Sequence, residues 1–352
     1  MSFKIRTDPG GHTFVVDPGE TVLAAALRQG IGLPYGCRDG KCGSCAGRLL
    51  AGRVEYPSGR TEALEGQPAD TCLTCQAVPT SDLVLGVREV AGAAQIEVKT
   101  LPCRVVKKER LSHDVMRLYL KLPENQRLQF LAGQYVDFIL RDGRRRAFSI
   151  ANAPHDDMEI ELHVRHIPGG EFTQYVFEGM PEKTILRIQG PLGTFVLDEG
   201  SSRPIIMMGG GTGFAPLKGM IEHAIHIGLD RPIWLYWGVR SRRDIYLHAL
   251  PERWADRYPS LRFTPVLSEP DPDWSGRRGL VHEAVVEDHP DLSGFDVYMS
   301  GPPAMVEAAR TAFEDGGLPR DRMFSDAFEY ARDEKRPGTS DRPDDAQESP
   351  AD

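Results

Sequence analysis

The stretch Tyr35-Gly36-Cys37-Arg38-Asp39-Gly40-Lys41-Cys42-Gly43-Ser44-Cys45-Ala46-Gly47 constrains this chain more than any other. Three cysteines fall at C-x4-C-x2-C in a loop with a glycine at every third or fourth position, and Cys75 follows in Leu73-Thr74-Cys75-Gln76-Ala77. Thiolates gathered in a short loop are ligands for a soft metal or a metal–sulfur cluster. The glycines have a physical task. A tight loop around an anionic centre must bring backbone N–H groups onto the sulfurs, which needs close approach and positive φ angles.

Two arrangements compete with a set of unrelated structural thiols. The spacing of Cys37, Cys42, Cys45 and Cys75 is the one that holds a [2Fe-2S] cluster of the plant type. A four-cysteine zinc ribbon could instead use Cys42-x2-Cys45 and Cys72-x2-Cys75. That choice strands Cys37 and leaves the glycine density without a reason. Cys72 reads as a bystander three residues from Cys75, and Cys103 as a small buried hydrophobe.

With 352 residues the chain is long enough for two or three cores. The net charge of −9, without a basic stripe, argues against nucleic acid as a partner. No apolar run reaches a membrane span, and the start, Met1-Ser2-Phe3-Lys4-Ile5-Arg6, has no signal-like apolar region. A soluble cytoplasmic protein is expected. In a reducing compartment clustered thiols read as metal ligands rather than disulfides.

Three units follow in order. Residues 3–7 and 12–17 alternate around Asp8-Pro9-Gly10-Gly11, a hairpin signal, and Thr21–Gln29 is helical in pattern up to a cap at Gly30. With the cysteine loop these give a first domain over 1–90, and 91–99 read as a linker. Residues 100–200 carry short strands separated by turns, which favours an antiparallel barrel. From 201 to 331 strand and helix alternate, which argues an open parallel α/β sheet. Residues 332–352 are Pro, Ser and charge, a composition expected to stay disordered.

Two stretches carry further chemistry. The strand Pro204–Met208 runs into Gly209-Gly210-Gly211-Thr212-Gly213 ahead of a helical pattern, offering free N–H groups to a phosphate. It is not a Walker A loop, and no Asp or Glu follows on the next strand for a ribose. In the barrel, Arg144-Arg145-Arg146-Ala147-Phe148-Ser149-Ile150 is a basic turn entering a strand. For Arg144 and Arg145 a solvated turn is the expected role.

Taken together, residues 1–330 resemble the iron–sulfur flavoprotein reductases of the ferredoxin–NADP reductase superfamily. The resemblance implies a β-grasp ferredoxin domain, a flavin barrel and a nicotinamide-binding sheet. In that family an Arg-x-Tyr-Ser stretch binds flavin. The matching residues are Arg146, Phe148 and Ser149, with Phe for Tyr, and Ser149 is the implied catalytic hydroxyl near flavin N5. Gly170 and Thr173, with Arg165 nearby, match the pyrophosphate turn. Gly211, Thr212, Gly213 and Pro216 match the nicotinamide loop. Ser300, Gly301 and Pro302 match a Cys-Gly-Pro element with Ser for Cys, and Phe328 matches an aromatic laid near the flavin.

The implied cofactors are a [2Fe-2S] cluster, FAD and NADH. FAD is favoured over FMN because the Gly169–Thr173 helix start offers a second phosphate site. NADH is favoured because Ser268-Glu269-Pro270 places a carboxylate where users of NADPH carry an arginine, although Arg240, Arg242 and Arg243 lie near. Flavin joins the two-electron donor to the one-electron cluster. The implied outlet is an electron-acceptor protein, a dehydrase of deoxysugar synthesis or an oxygenase or hydroxylase component. The wording Leu-Thr-Cys-Gln, Ser-Gly-Pro-Pro-Ala-Met and Asp-Ala-Phe is most similar to the CDP-deoxyglucoseen reductases within that family. An iron–sulfur carrier or sensor with non-functional flavin and nicotinamide sites is the alternative.

Overall fold

The computed structural model describes residues 2–328, so the tail expected over 332–352 lies outside the described residues. Strands β1 (Phe3–Pro9) and β2 (Thr13–Val16) pair antiparallel, and their alternation turns Ile5, Phe14 and Val16 inward. Helix α1 (Val22–Arg28) starts at Thr21, whose hydroxyl accepts the Ala24 N–H, and buries Val22, Leu23, Ala25 and Ala26. It stops at Gln29, ahead of Gly30 in the left-handed region. The chain continues through β3 (Ala46–Ala51), β4 (Val54–Glu55), β5 (Thr71–Leu73), β6 (Val78–Pro79) and β7 (Leu83–Val87). The sheet order is β2-β1-β7-β3-β5, with β1 and β7 parallel and β4–β6 a separate pair. The long connection from α1 to β3 is the cysteine loop.

The second unit holds β8 (Lys99–Arg110), β9 (Val115–Lys121), β10 (Tyr135–Ile139), β11 (Arg145–Ser149), β12 (Ile160–Arg165) and β13 (Ile185–Leu192). All neighbours are antiparallel in the order β11-β10-β13-β8-β9-β12. A bridge from Ile150 to Leu162 joins the end of β11 to β12 and closes the barrel, which removes its open edges. Its inward residues form one apolar cluster that includes Cys103, Leu118, Val136, Phe138 and Leu162. Helix α2 (Glu171–Gln174) is one turn, extended by a wide turn over Tyr175–Gly179.

The third unit runs β14 (Ile205–Gly210), α3 (Phe214–His226), β15 (Ile233–Val239), α4 (Ala249–Arg257), β16 (Leu261–Leu267), β17 (Arg277–Arg278), α5 (Val281–Asp288), β18 (Asp296–Gly301), α6 (Pro303–Asp315) and β19 (Met323–Ala327). Its six strands are all parallel in the order β17-β16-β15-β14-β18-β19. Strand β14 has β15 on one side and β18 on the other, so the connections leave in opposite directions and open a crevice at the strand ends. Apolar clusters cover both faces. Sequence reading did not include β19, which is five residues long, half-exposed throughout and without an alternating apolar pattern.

One buried polar group ties barrel to sheet. Lys218 of α3, 4% exposed, donates to Glu161 Oε2 on β12, to Glu222 Oε2 and to the Ala151 carbonyl at 3.0, 3.0 and 3.1 Å. Glu161 Oε1 also meets His163 Nε2 at 2.8 Å, and the other ring nitrogen of His163 meets the Tyr246 hydroxyl at 3.0 Å. Among the described residues no helix is long and apolar enough to cross a membrane.

Candidate functional site

The cysteine loop arranges its sulfurs in two pairs. Cys37 and Cys42 form one, bridged by the Cys37 N–H to Cys42 Sγ at 3.4 Å and the Cys42 N–H to Cys37 Sγ at 3.5 Å. Cys45 and Cys75 form the other, with sulfurs 3.2 Å apart. The Asp39 N–H adds a second backbone donor to Cys37 Sγ at 3.3 Å. The hydrogen bond from Cys42 and those backbone N–H groups hold the Cys37 thiol down at about 5, while Cys42 and Cys45 are pushed up, by their partner thiols and by burial. Gln76 and the Gly40 N–H face Cys75, which is lowered chiefly by its bond to Cys45.

This donor set fits a two-metal cluster better than one ion. Among the described residues, the group of His, Cys, Asp or Glu that closes to within 4.8 Å is His113, Asp114 and Asp244 rather than the cysteines. A tetrahedral zinc would gather all four sulfurs on one point. Cys72 lies buried on β5, and its thiol partners the Tyr56 hydroxyl rather than either sulfur pair. Gly36 lacks a side chain for a spatial reason: a Cβ there would stand 3.1 Å from Cys42 Sγ.

The residues expected to bind flavin lie along β11 and its neighbours. Phe148 is half-buried against Phe138 and Phe172, each with ring centroids 5.7 Å away. Ser149 is 8% exposed, and its hydroxyl donates to Asp326 Oδ2 at 3.2 Å. Arg146 is half-buried and donates to the Arg145 carbonyl at 2.9 Å. The Thr173 hydroxyl accepts the Ile167 N–H at 3.1 Å and contacts the Gly170 carbonyl, so it fastens the turn on which Gly170 sits. Arg144 reaches across to Glu171 at 2.6 Å in an ion pair at the surface, as a solvated turn allows.

Of the residues expected to place the nicotinamide, Gly211, Thr212 and Pro302 line a cleft of about 1180 Å³ between barrel and sheet, whereas Gly213, Pro216, Ser300 and Gly301 do not. Gly211–Gly213 forms one tight turn into α3, with Gly211 at φ +54° and its carbonyl accepting Trp237 Nε1–H at 2.9 Å. Gly213 is required because a Cβ would collide with the Ser300 carbonyl. Thr212 is buried, and Pro216 lies inside the first turn of α3. Arg165 donates to Asp114 at 2.8 Å and lies beside Gly211, spanning the cleft rather than facing the Gly170 turn alone. Pro302 opens α6 and Gly301 adopts φ +151°.

The two sets converge at β18 and β19. Asp326 is the register partner of Ser300 and the hydrogen-bond partner of Ser149, so one carboxylate lies between the flavin strand and the nicotinamide strand. Burial raises it to about 6. Ser300 is fully buried, and its hydroxyl meets no hydrogen-bond partner among the described residues. An orphaned donor at this position fits a carboxamide-bearing ring. The Phe328 N–H donates to the Gly301 carbonyl at 2.9 Å, which pins that aromatic residue beside the same element. Sequence reading named Phe328 but missed Asp326, although Ser325-Asp326-Ala327-Phe328 contains it. An acidic residue before an aromatic one carries no signal until β19 is placed.

Comparison with known proteins agrees with this division. Residues 5–80 match the 2Fe-2S iron-sulfur cluster binding domain, 102–197 the oxidoreductase FAD-binding domain, and 207–311 the oxidoreductase NAD-binding domain. The chain is 40% identical to the CDP-6-deoxy-L-threo-D-glycero-4-hexulose-3-dehydrase reductase of Yersinia pestis, covering 93% of this chain and 99% of that protein. It is 37% identical to the aromatic O-demethylase reductase subunit of an Amycolatopsis species, over 93% and 99%. The crystal structure of the Amycolatopsis cytochrome P450 reductase GcoB superposes with a TM-score of 0.73 at 35% identity, covering 93% and 98%. This chain therefore belongs to the iron–sulfur flavoprotein reductases of the ferredoxin–NADP reductase superfamily, NAD(P)H-dependent oxidoreductases that pass electrons through FAD and a [2Fe-2S] cluster to an acceptor.

Proposed function

We propose that this reductase takes electrons from NADH and delivers them to a dehydrase of deoxysugar synthesis, with an oxygenase component as the second possibility. The observation that carries the reading is the meeting of Ser149, Asp326 and Ser300 from three strands of two units, with the cluster loop attached beside them. The order of partners follows identity: two relatives at 40% are named as dehydrase reductases, and a dioxygenase reductase component stands at 33%.

Bound flavin would supply the conversion of a two-electron input into one-electron steps. The protein's own part is to hold, orient and protonate. Phe148 gives the ring a wall, and Arg146 offers charge to its phosphate. Ser149 Oγ holds a proton against Asp326 and would offer a hydrogen bond to bound flavin as charge develops on it during hydride transfer. Ser300 and the Gly211–Gly213 turn would place the nicotinamide. Cys37, Cys42, Cys45 and Cys75 would ligate the two irons, and the N–H groups aimed at sulfur would stabilise the cluster's negative charge.

The preference for NADH rests on charge at the far end of the cleft. Glu269 and Asp271 line it, and a carboxylate opposes a 2′-phosphate. Arg242 is taken up over the Trp274 ring at 5.3 Å and faces Asp273 at 3.5 Å, which leaves Arg240 and Arg243 as cations lining the cleft. Anaerobic mixing of the purified protein with NADH, then cytochrome c, tests the function. Turnover is expected, whereas a carrier or sensor gives none. Flavin extraction and chromatography should return FAD.

A further inference from the structure

The cysteine loop is gripped by the barrel at the two residues ahead of Cys37. Thr194, 7% exposed, accepts the Tyr35 N–H on its hydroxyl at 2.6 Å. Its hydroxyl and its own N–H both donate back to the Tyr35 carbonyl, at 3.0 and 3.2 Å. The Tyr135 hydroxyl donates to the next carbonyl, that of Gly36, at 2.9 Å. Gly36 in turn lies against Cys42 Sγ and precedes a ligand. These contacts come from residues about 100 or more positions away in sequence, and none is part of the ferredoxin sheet's own strand pairing.

The grip is built rather than incidental. Gly193 sits at φ +86°, and a Cβ there would stand 2.9 Å from the Tyr135 ring, so the glycine leaves room for that ring. The Gly193 carbonyl is held by Gln134 Nε2 at 2.9 Å, and Gln134 is 1% exposed. Thus Gln134-Tyr135 at the start of β10 and Gly193-Thr194 after β13 form one seat. Tyr135 is also the cross-strand partner of Ser149. The residue that holds the cluster loop therefore stands directly opposite the hydroxyl at the flavin strand.

We infer that Tyr135 and Thr194 are positioning residues that set the separation between flavin and cluster, and so the rate at which single electrons leave the flavin. This rests on the reading that electrons pass from flavin to cluster in this chain. The linker cannot do the same work, because a connection that permits many separations gives many rates. Electron transfer falls steeply with distance, so a loop that loosens slows the step without altering either cofactor.

The test uses the holoprotein, as wild type, Tyr135→Phe and Thr194→Val. Three readings are taken: bleaching of flavin by NADH in anaerobic stopped flow, the rise of the reduced-cluster EPR signal after freeze-quench, and amide hydrogen exchange across 35–45. The flavin phase should keep its rate. The cluster phase should slow and the exchange quicken by about fivefold, the scale of one buried hydrogen bond. Dithionite-reduced variants should keep the wild-type EPR spectrum and intensity.

Unchanged cluster phase and exchange in both variants would overturn the inference. So would loss of the dithionite EPR signal, which would assign the two residues to holding the cluster rather than spacing it. A wild-type cluster that stays oxidised under NADH sinks the electron path instead, and the exchange rates still decide whether the grip exists.

Discussion

The charge on Glu161 is the sharpest test of how barrel and sheet are joined. Burial opposes that charge, but the His163 hydrogen bond and the Lys218 ammonium outweigh it and hold the carboxyl at about 2, against an ordinary 4.5. Glu161→Gln keeps the shape and most hydrogen bonds while removing the charge. The shift of roughly 2.5 units corresponds to about 3 kcal/mol of stability at neutral pH. A depressed carboxylate stabilises above its unfolded pKa, and its contribution is lost as pH falls through the folded value. The difference between wild type and variant should therefore be full at pH 7 and shrink below about pH 5. Urea unfolding followed by tryptophan fluorescence reads this interface, because Trp234, Trp237, Trp254 and Trp274 all lie in the parallel-sheet unit. A deficit under about 0.5 kcal/mol at pH 7, or one that is unchanged down to about pH 3.5, refutes the reasoning.

Ser149→Ala should slow flavin reduction by NADH by about a hundredfold, the usual cost of one donor at a developing charge. Because burial raises Asp326 to about 6, wild-type flavin reduction should change with pH around that value as the carboxylate ionises and can accept from Ser149. Asp326→Asn should flatten the profile, and an unaltered inflection would remove Asp326 from the proton path. Cys75→Ser should abolish bound iron and labile sulfide while Cys72→Ser retains them, as metal analysis would show. Glu269→Ser should narrow the preference for NADH over NADPH by about tenfold in kcat/KM. A wild-type enzyme that prefers NADPH would defeat the assignment.

Much of the architecture was legible because each unit announces its period. Alternation in 3–7 and 12–17 gave the first hairpin, and Thr21 with Gly30 bracketed α1. The six barrel strands and the strand–helix alternation after Arg203 were readable from turns and apolar runs. What stayed hidden depends on contacts distant in sequence. Strand β19, Met-Phe-Ser-Asp-Ala, is short, half-exposed throughout and lacks the alternation that marks a strand, and with it Asp326 went unseen. Tyr135 and Thr194 read as ordinary strand and loop residues until the fold places Tyr35 and Gly36 between them. The resemblance placed Arg165 near the turn of Gly170 and Thr173, and only the fold shows that its side chain also bonds Asp114 and lies beside Gly211.

The central claim is that one polypeptide joins a nicotinamide site, a flavin site and the Cys37–Cys75 ligand set into a single electron path. Anaerobic titration of the purified, yellow-brown holoprotein with NADH, monitored by low-temperature EPR, measures this most directly. The account predicts a reduced two-iron signal that grows with added NADH to match the protein's iron content. Bleached flavin beside a cluster that only dithionite can reduce would contradict it.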